Sequence, residues 1–291
     1  MKIRPLAVAP VFQPQAVNFV SPPHNEQWNV CRDFEAWLHS KPDLLTDNPN
    51  EADWEYLPLY WNSVYINHQW GEGMQPELQR EIERLVSRNR PTFTICEYDI
   101  RQMQPHLDLC GMQVFTASRR GADTGIDIPL LCTPHTVPAS APDKRWRASF
   151  IGNLDTWGIR SGMHDEIGDL SDVWLSHDNR GTGFFVDLML ASYIALAPRG
   201  HGGQSFRFYE AMQLGTVPLY VSDLDCRPFR RWIDWDACSL YVPSLDGLRG
   251  VVLNACKERL LKMGANAAQV YREHLAYGQW CRYVIKELEA L

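Results

Sequence analysis

Positive charge is scarce in this chain: 28 Lys and Arg stand against 35 Asp and Glu among 291 residues, a formal net charge of −7. Sequence-independent binding of DNA or RNA rests on neutralising phosphates with Lys and Arg, so a nucleic-acid role is disfavoured. Any phosphate the chain does bind must be met by cations gathered locally. Long hydrophobic runs are lacking too. No apolar stretch approaches the ~20 residues needed to span a bilayer, and Pro5, Pro10 and Pro14 interrupt the N-terminal run, so no segment reads as a signal peptide or a membrane anchor. Paired cysteines are missing: Cys31, Cys96, Cys110, Cys132, Cys226, Cys238, Cys256 and Cys281 are scattered singly, several within apolar runs. That is the pattern of reduced, buried thiols and points to the cytoplasm. There is no internal repeat and no low-complexity tract. What remains is a globular composition, 45% hydrophobic and 22% charged, with length for two domains or one large one.

Periodicity then sets the fold class. Short apolar runs alternate with amphipathic segments, which is the pattern of α/β layers. Strands are expected at Ile3–Val8, Trp54–Tyr60, Thr92–Cys96, Gln113–Ala117 and Ile126–Leu131, with a surface helix at Gln75–Asn89, where Leu78, Ile82, Leu85 and Val86 share one stripe. Thr133–Lys144 holds three prolines and no period, and reads as an interdomain linker. Beyond it, strands at Ala148–Ile151, Val173–Ser176, Ile194–Ala197 and Val217–Val221 alternate with helices near Arg160–Ile167, Phe184–Ser192 and after Gln204. Leu245–Leu291 reads as helices. The expectation is two Rossmann-like domains, residues 1–142 and 143–291, facing a central cleft, with the ligand beyond the carboxyl ends of strands.

One segment carries most of the chemical signal. After the apolar strand ending at Pro198 comes the glycine-rich loop Gly200-His201-Gly202-Gly203, a helix starting near Ser205, and a stop at Gly215. Strand, glycine loop and helix start make an anion site, because bare N–H groups and the positive helix end converge there. The loop is neither a Walker A nor a full G-x-G-x-x-G, since Ser205 stands where the third glycine belongs. Flanking charge sharpens the reading. Arg207 lies in the first helical turn, where a cation opposes the helix dipole unless an anion is bound nearby. Arg199 sits at the strand end, and Glu210, three residues after Arg207, shares its helix face. The arginines offer planar donors to phosphate oxygens and Glu210 an acceptor for vicinal ribose hydroxyls. The competing reading is a surface Arg–Glu pair.

The ordered run Pro198-Arg199-Gly200, Ser205-Phe206-Arg207, Glu210-Ala211, Pro218, Ser222-Asp223, Pro228-Phe229 and Trp235 resembles the exostosin family of glycosyltransferases. Glu51-Ala52-Asp53 with Leu57-Pro58-Leu59-Tyr60, and Phe150-Ile151-Gly152-Asn153 followed by Arg160, are similar to upstream parts of that family. The His201 and Gly202-Gly203 loop and Arg227 before Pro228 depart from its pattern. The resemblance implies a GT-B-like fold, a nucleotide-sugar donor held mainly by the second domain, an acceptor held by the first, and inversion at the anomeric carbon without a required metal or other cofactor. The donor side would be Arg160 (the weaker phosphate candidate), Arg199, Gly200, Ser205, Phe206, Arg207 and Glu210, and the expected donor is UDP-linked.

Inverting transfer also needs a base for the acceptor hydroxyl. Glu97 and Asp99 follow the strand Thr92–Cys96 and are the candidates, Glu97 ahead of Asp99. Lone histidines His24, His135, His164 and His177 read as structural before catalytic, and Asp53 as a turn residue. Trp54, Tyr60, Trp61, Tyr65 and Trp70 form an aromatic set, mostly core, one or two of which could line an acceptor groove. Two rivals remain: a metal-dependent transferase using Asp223 and Asp225, with Asp223 otherwise a strand-end cap, and a nucleotide- or glycan-binding module without turnover.

Overall fold

Parallel strands covered on both faces must be apolar nearly throughout, and such runs can be located closely. The computed structural model describes residues 1–13, 29–68, 73–121, 125–138, 142–178 and 180–291; His24 and Trp70 lie outside them. The chain forms two compact units, Met1–Pro129 together with Tyr277–Leu291, and Leu130–Ala276.

In the first unit β1 (Ile3–Pro5), β2 (Trp54–Leu57), β3 (Thr92–Cys96), β4 (Gln113–Thr116) and β5 (Ile126–Asp127) pair in parallel in sequence order. All of β3 is buried. Around the sheet lie α1 (Asn29–His39), α2 (Trp61–Asn67), α3 (Gln75–Leu85) and the single turn α4 (Ile100–Met103). The sequence reading did not identify α1, although Val30, Cys31, Phe34 and Leu38 form a buried helical stripe. Phe34 stands edge-on to Tyr56 and Phe93, with ring centroids 5.3 and 5.9 Å away.

The second unit is a parallel sheet of β6 (Trp146–Ile151), β7 (Val173–Ser176), β8 (Ser192–Pro198), β9 (Val217–Val221) and β10 (Leu240–Val242), in the order β10-β9-β8-β6-β7. Its helices are α5 (Gly158–Ile167), α6 (Gly181–Leu190), α7 (Phe206–Gln213), α8 (Leu248–Asn254) and α9 (Lys257–Val270). The chain leaves β6 for β7 on one side, then crosses to β8 on the other. That reversal opens a crevice beyond the carboxyl ends of β6 and β8, the usual place for a ligand in such a sheet. Two Rossmann-like parallel units in one chain are the components of the GT-B class.

α7 ends where expected, through a glycine cap. Gly215 has φ +68; its N–H donates to Met212 O at 3.1 Å and that of Thr216 to Ala211 O at 3.0 Å, the paired bonds of a Schellman motif. The helix end is also packed tightly, since a Cβ on Gly264 of α9 would lie 2.3 Å from Gly215 O.

The boundary differs from the expected 142/143. Leu130, Leu131 and Cys132 are buried, and Leu130 and His135 donate their N–H groups to Gln204 and Gln213, so residues 130–138 belong to the second unit. Prolines there preclude regular structure without precluding packing. The chain then returns: α10 (Cys281–Glu289) joins the first unit, with Cys281, Val284 and Leu288 buried. Asp33 of α1 fastens it, Oδ2 accepting from Gly278 N–H and from the indole of fully buried Trp280, both at 2.7 Å. Removing that acceptor strands two donors, each bond to a carboxylate being worth about 1.5–3 kcal/mol. Asp33→Ala should therefore lower the urea midpoint by the equivalent of about 3–6 kcal/mol, and Asp33→Asn, which keeps an acceptor oxygen, by clearly less; equal midpoints for wild type and Asp33→Ala would remove the fastening role.

Candidate active site

At the crevice of the second unit, β6 runs out at Ile151 into Gly152, and β8 runs out at Pro198 into Arg199. Gly152 has φ +154, a value L side chains avoid. A Cβ there would also lie 2.8 Å from an Arg207 terminal nitrogen. The backbone conformation thus favours glycine, and its lack of a side chain lets Arg207, in the first turn of α7, lie across the end of β6. The Arg207 guanidinium sits 4.5 Å from the Phe150 ring centroid and 5.5 Å from that of Phe185. Its Nε is buried with no hydrogen-bond partner among the described residues. Burial holds its pKa below the ordinary arginine value, with the Glu210 carboxylate opposing that shift. A cation at the positive end of a helix is unfavourable there unless an anion is held nearby.

Arg160, in the first turn of α5, is the second cation here. Its guanidinium lies 6.0 Å from the Phe150 ring centroid and is held by Arg199 O (3.0 Å), Asn153 O (3.1 Å) and Thr156 Oγ1 (3.3 Å). Burial, and then the like charge of Arg207, pull its pKa down to about 10. An anion between the two would relieve both effects.

Arg199 is placed differently from the expected clamp. It is buried, its guanidinium pairs with Asp223 Oδ1, its Nε donates to Gly202 O at 3.3 Å, and it stacks 4.6 Å from the ring centroid of exposed Trp157. The geometry therefore groups Arg207 with Arg160, while Arg199 braces the glycine loop. Asp223, expected as a strand-end cap, is the ion-pair partner of Arg199. Asp225 is bound by Arg227 through Nε at 3.0 Å and NH2 at 2.8 Å. Both acids of the metal alternative thus already serve arginines, and among the described residues no group of three or more His, Cys, Asp or Glu is suited to a metal.

The glycine loop is anchored from behind, Gly203 O accepting from Tyr220 OH at 2.5 Å and Ser222 Oγ at 3.3 Å, and Gly200 N–H donating to Gln204 O at 3.4 Å. Ser205 is the N-cap of α7 yet its side chain makes no capping bond, and the helix's first N–H groups have no intrahelical acceptor. Phe206, half-buried, opens the helix. Glu210, one turn on, is buried and its Oε1 lies 3.2 Å from His135 Nε2. Beside Arg160, a cavity of about 370 Å³ opens at the carboxyl end of β7, lined in part by His164, Trp174, Ser176, His177 and Arg180. Gly152 and Phe185 were missed as site residues. Gly152 lay inside the Phe150–Asn153 string, and Phe185 carries no local signal.

In the first unit, Glu97 follows β3 at its carboxyl end. It is buried, and Oε2 has no hydrogen-bond partner among the described residues. Burial alone raises its pKa to about 8. Asp99 is spent on structure: Oδ1 caps α4 by accepting from Gln102 N–H at 3.2 Å, and Oδ2 accepts from Arg120 N–H at 2.8 Å. Asp53 is the expected turn residue, bound to Lys2 N–H at 2.6 Å. Tyr60 and Trp61 are core, whereas Trp54 and Tyr65 are half-buried.

The Exostosin GT47 domain family matches residues 100–253, just over half of the chain, and the chain belongs to that family of glycosyltransferases. The exostosin-1 homologue of Caenorhabditis elegans is 32% identical over 91 residues, 31% of this chain and 24% of that one. A probable β-1,4-xylosyltransferase of Arabidopsis thaliana is 24% identical over 259 residues, 73% of this chain and 61% of that one. The chain thus spans less than two thirds of each relative's length. Among solved structures, the Anabaena protein HepE in complex with UDP-glucose aligns over 100% of both chains with 9% identity and a TM-score of 0.43.

The raised pKa of Glu97 makes stability depend on pH. The folded state holds the proton more tightly than the unfolded chain, so this stabilisation is full below an ordinary glutamate's 4.5 and is lost as pH rises through about 8. Glu97→Gln should match wild type in urea unfolding at about pH 4 and exceed it increasingly towards pH 9, by about 3–5 kcal/mol at the upper end. A gap that does not widen with pH would show that the carboxyl is not desolvated.

Proposed function

We propose that this chain is an inverting glycosyltransferase that moves a sugar from a nucleoside-diphosphate donor, UDP-linked, to a hydroxyl group of a glycan or small acceptor. The observation that carries this reading is the Arg207 guanidinium at the start of α7, its Nε buried with no hydrogen-bond partner among the described residues, beside Arg160. In this reading Arg207, Arg160, Ser205, Phe206 and the loop at Gly200 receive the diphosphate, Arg199 keeps the loop in place, and Glu210 accepts from the ribose hydroxyls. The acceptor oxygen forms its bond to the anomeric carbon as the bond to the diphosphate oxygen breaks, and the electron pair leaves with the diphosphate. Guanidinium groups and helix N–H donors stabilise the charge developing on those oxygens, as preorganised donors do at other leaving groups. The acceptor's proton goes to ionised Glu97, whose raised pKa makes it a stronger base than an exposed glutamate.

The guanidinium groups supply the charge relief that a divalent cation gives elsewhere, so transfer is proposed to be metal-independent. Full activity in excess chelator is the expected result, and activity restored only by Mg²⁺ or Mn²⁺ would return the role to Asp223 and Asp225.

Arg207→Ala should weaken UDP binding about 30- to 1000-fold, as expected for losing a buried charged contact, measured by calorimetry. Arg207→Lys should recover little, because an ammonium lacks the planar fork. Unchanged affinity in both variants removes the phosphate assignment. UDP binding without transfer to any acceptor, with Glu97→Gln indistinguishable from wild type in binding, would leave a nucleotide-binding module.

A further inference from the structure

A histidine outside every regular element reaches Glu210. Residues 130–138 carry no helix or strand, yet α7 straps this segment down near both of its ends. Before the helix, Gln204 accepts from Leu130 N–H at 3.4 Å; at its last residue, Gln213 accepts from His135 N–H at 2.9 Å and donates to Thr133 O at 3.1 Å. Gln213 and Glu210 are three residues apart and share a helix face. The strap thus delivers the His135 imidazole to Glu210, Nε2 standing 3.2 Å from Oε1, with the two side chains only 5% and 9% exposed. A carboxylate only accepts, so Nε2 carries the proton in this bond. The His135 ring also lies 5.9 Å from Phe185, whose ring is 5.5 Å from the Arg207 guanidinium. One aromatic ring therefore connects the histidine to the proposed phosphate residue.

We propose that His135 is a positioning residue for Glu210, fixing its carboxylate to accept from the vicinal hydroxyls of the donor ribose. This rests on the ribose role given to Glu210 above. A carboxylate offers about four lone-pair directions; His135 takes one on Oε1 and leaves the rest for a diol. Orientation is what the histidine adds. Glu has three side-chain torsions, and two hydroxyl donors held by one ring are matched only when the carboxylate plane is set in advance.

The test is titration of the full chain with UDP, 2′-deoxy-UDP and inorganic pyrophosphate, for wild type, His135→Ala and His135→Gln. Wild type should prefer UDP over 2′-deoxy-UDP by about tenfold or more, because the deoxy compound leaves a buried acceptor unmatched. His135→Ala should bind UDP about tenfold more weakly and lose that preference, while its pyrophosphate affinity stays within about twofold of wild type. Unchanged pyrophosphate binding also certifies that the variant is folded. His135→Gln, which can present an amide N–H at similar reach, should restore part of the preference and serves in place of His135→Ala should that variant not fold. A His135→Ala, or in its place a residue without a side-chain donor such as His135→Leu, that keeps the full ribose preference overturns the inference while leaving Glu210 in its role. Absence of any preference in wild type overturns the Glu210 reading itself.

Discussion

The second unit is organised around a cation set at the positive end of a helix. Arg207 is half-buried, faces the rings of Phe150 and Phe185, and has the Glu210 carboxylate one turn on as its favourable charge. Cation–π contact of this kind contributes about 1–2 kcal/mol. α7, which carries Arg207, is closed at its far end by the Gly215 motif and packed closely against Gly264. Gly152 completes the arrangement by clearing the space that a Cβ would occupy.

The first unit holds the complementary case, a carboxyl group that burial keeps protonated to higher pH. Burial disfavours the charged form of both Glu97 and Arg207. Sites whose local energetics run against stability are where function is expected in an otherwise consistent sequence. Asp99, two residues from Glu97, shows the contrast: its two oxygens close a helix start and a loop, and nothing about it is left over for chemistry.

Much of the fold was legible because of how parallel strands are buried. Thr92–Cys96, Val173–Ser176 and Val217–Val221 have the same ends in the sequence reading and in the structure; the first and last are buried throughout, as inner parallel strands are, while Val173–Ser176 is a half-buried edge strand. α1 was missed because its stripe of Val30, Cys31, Phe34 and Leu38 is diluted by charged neighbours. The Thr133–Lys144 run is irregular where described, as read, but the unit boundary falls before it at 129/130, because proline reports backbone irregularity and says nothing of which unit a segment packs on. At the candidate site, the helix-dipole argument singled out Arg207 and its neighbour Glu210 from local sequence alone. Ranking Arg160 above Arg199 requires knowing that Asp223 and Gly202 already occupy Arg199, and the close approach of Arg207 to Gly152 involves a side chain distant in sequence. Periodicity carries no information on such contacts.

The return of α10 to the first unit makes the second unit an insertion within it. Residues 130–276 are contiguous and can close as soon as they have left the ribosome, since domains generally fold as units during synthesis. The earlier-made unit must wait for its helix α10, with the Phe34 ring lacking its Trp280 neighbour until then. Order of translation and order of completion are therefore reversed in this protein, and the interval between them is when a chaperone would find the most to bind.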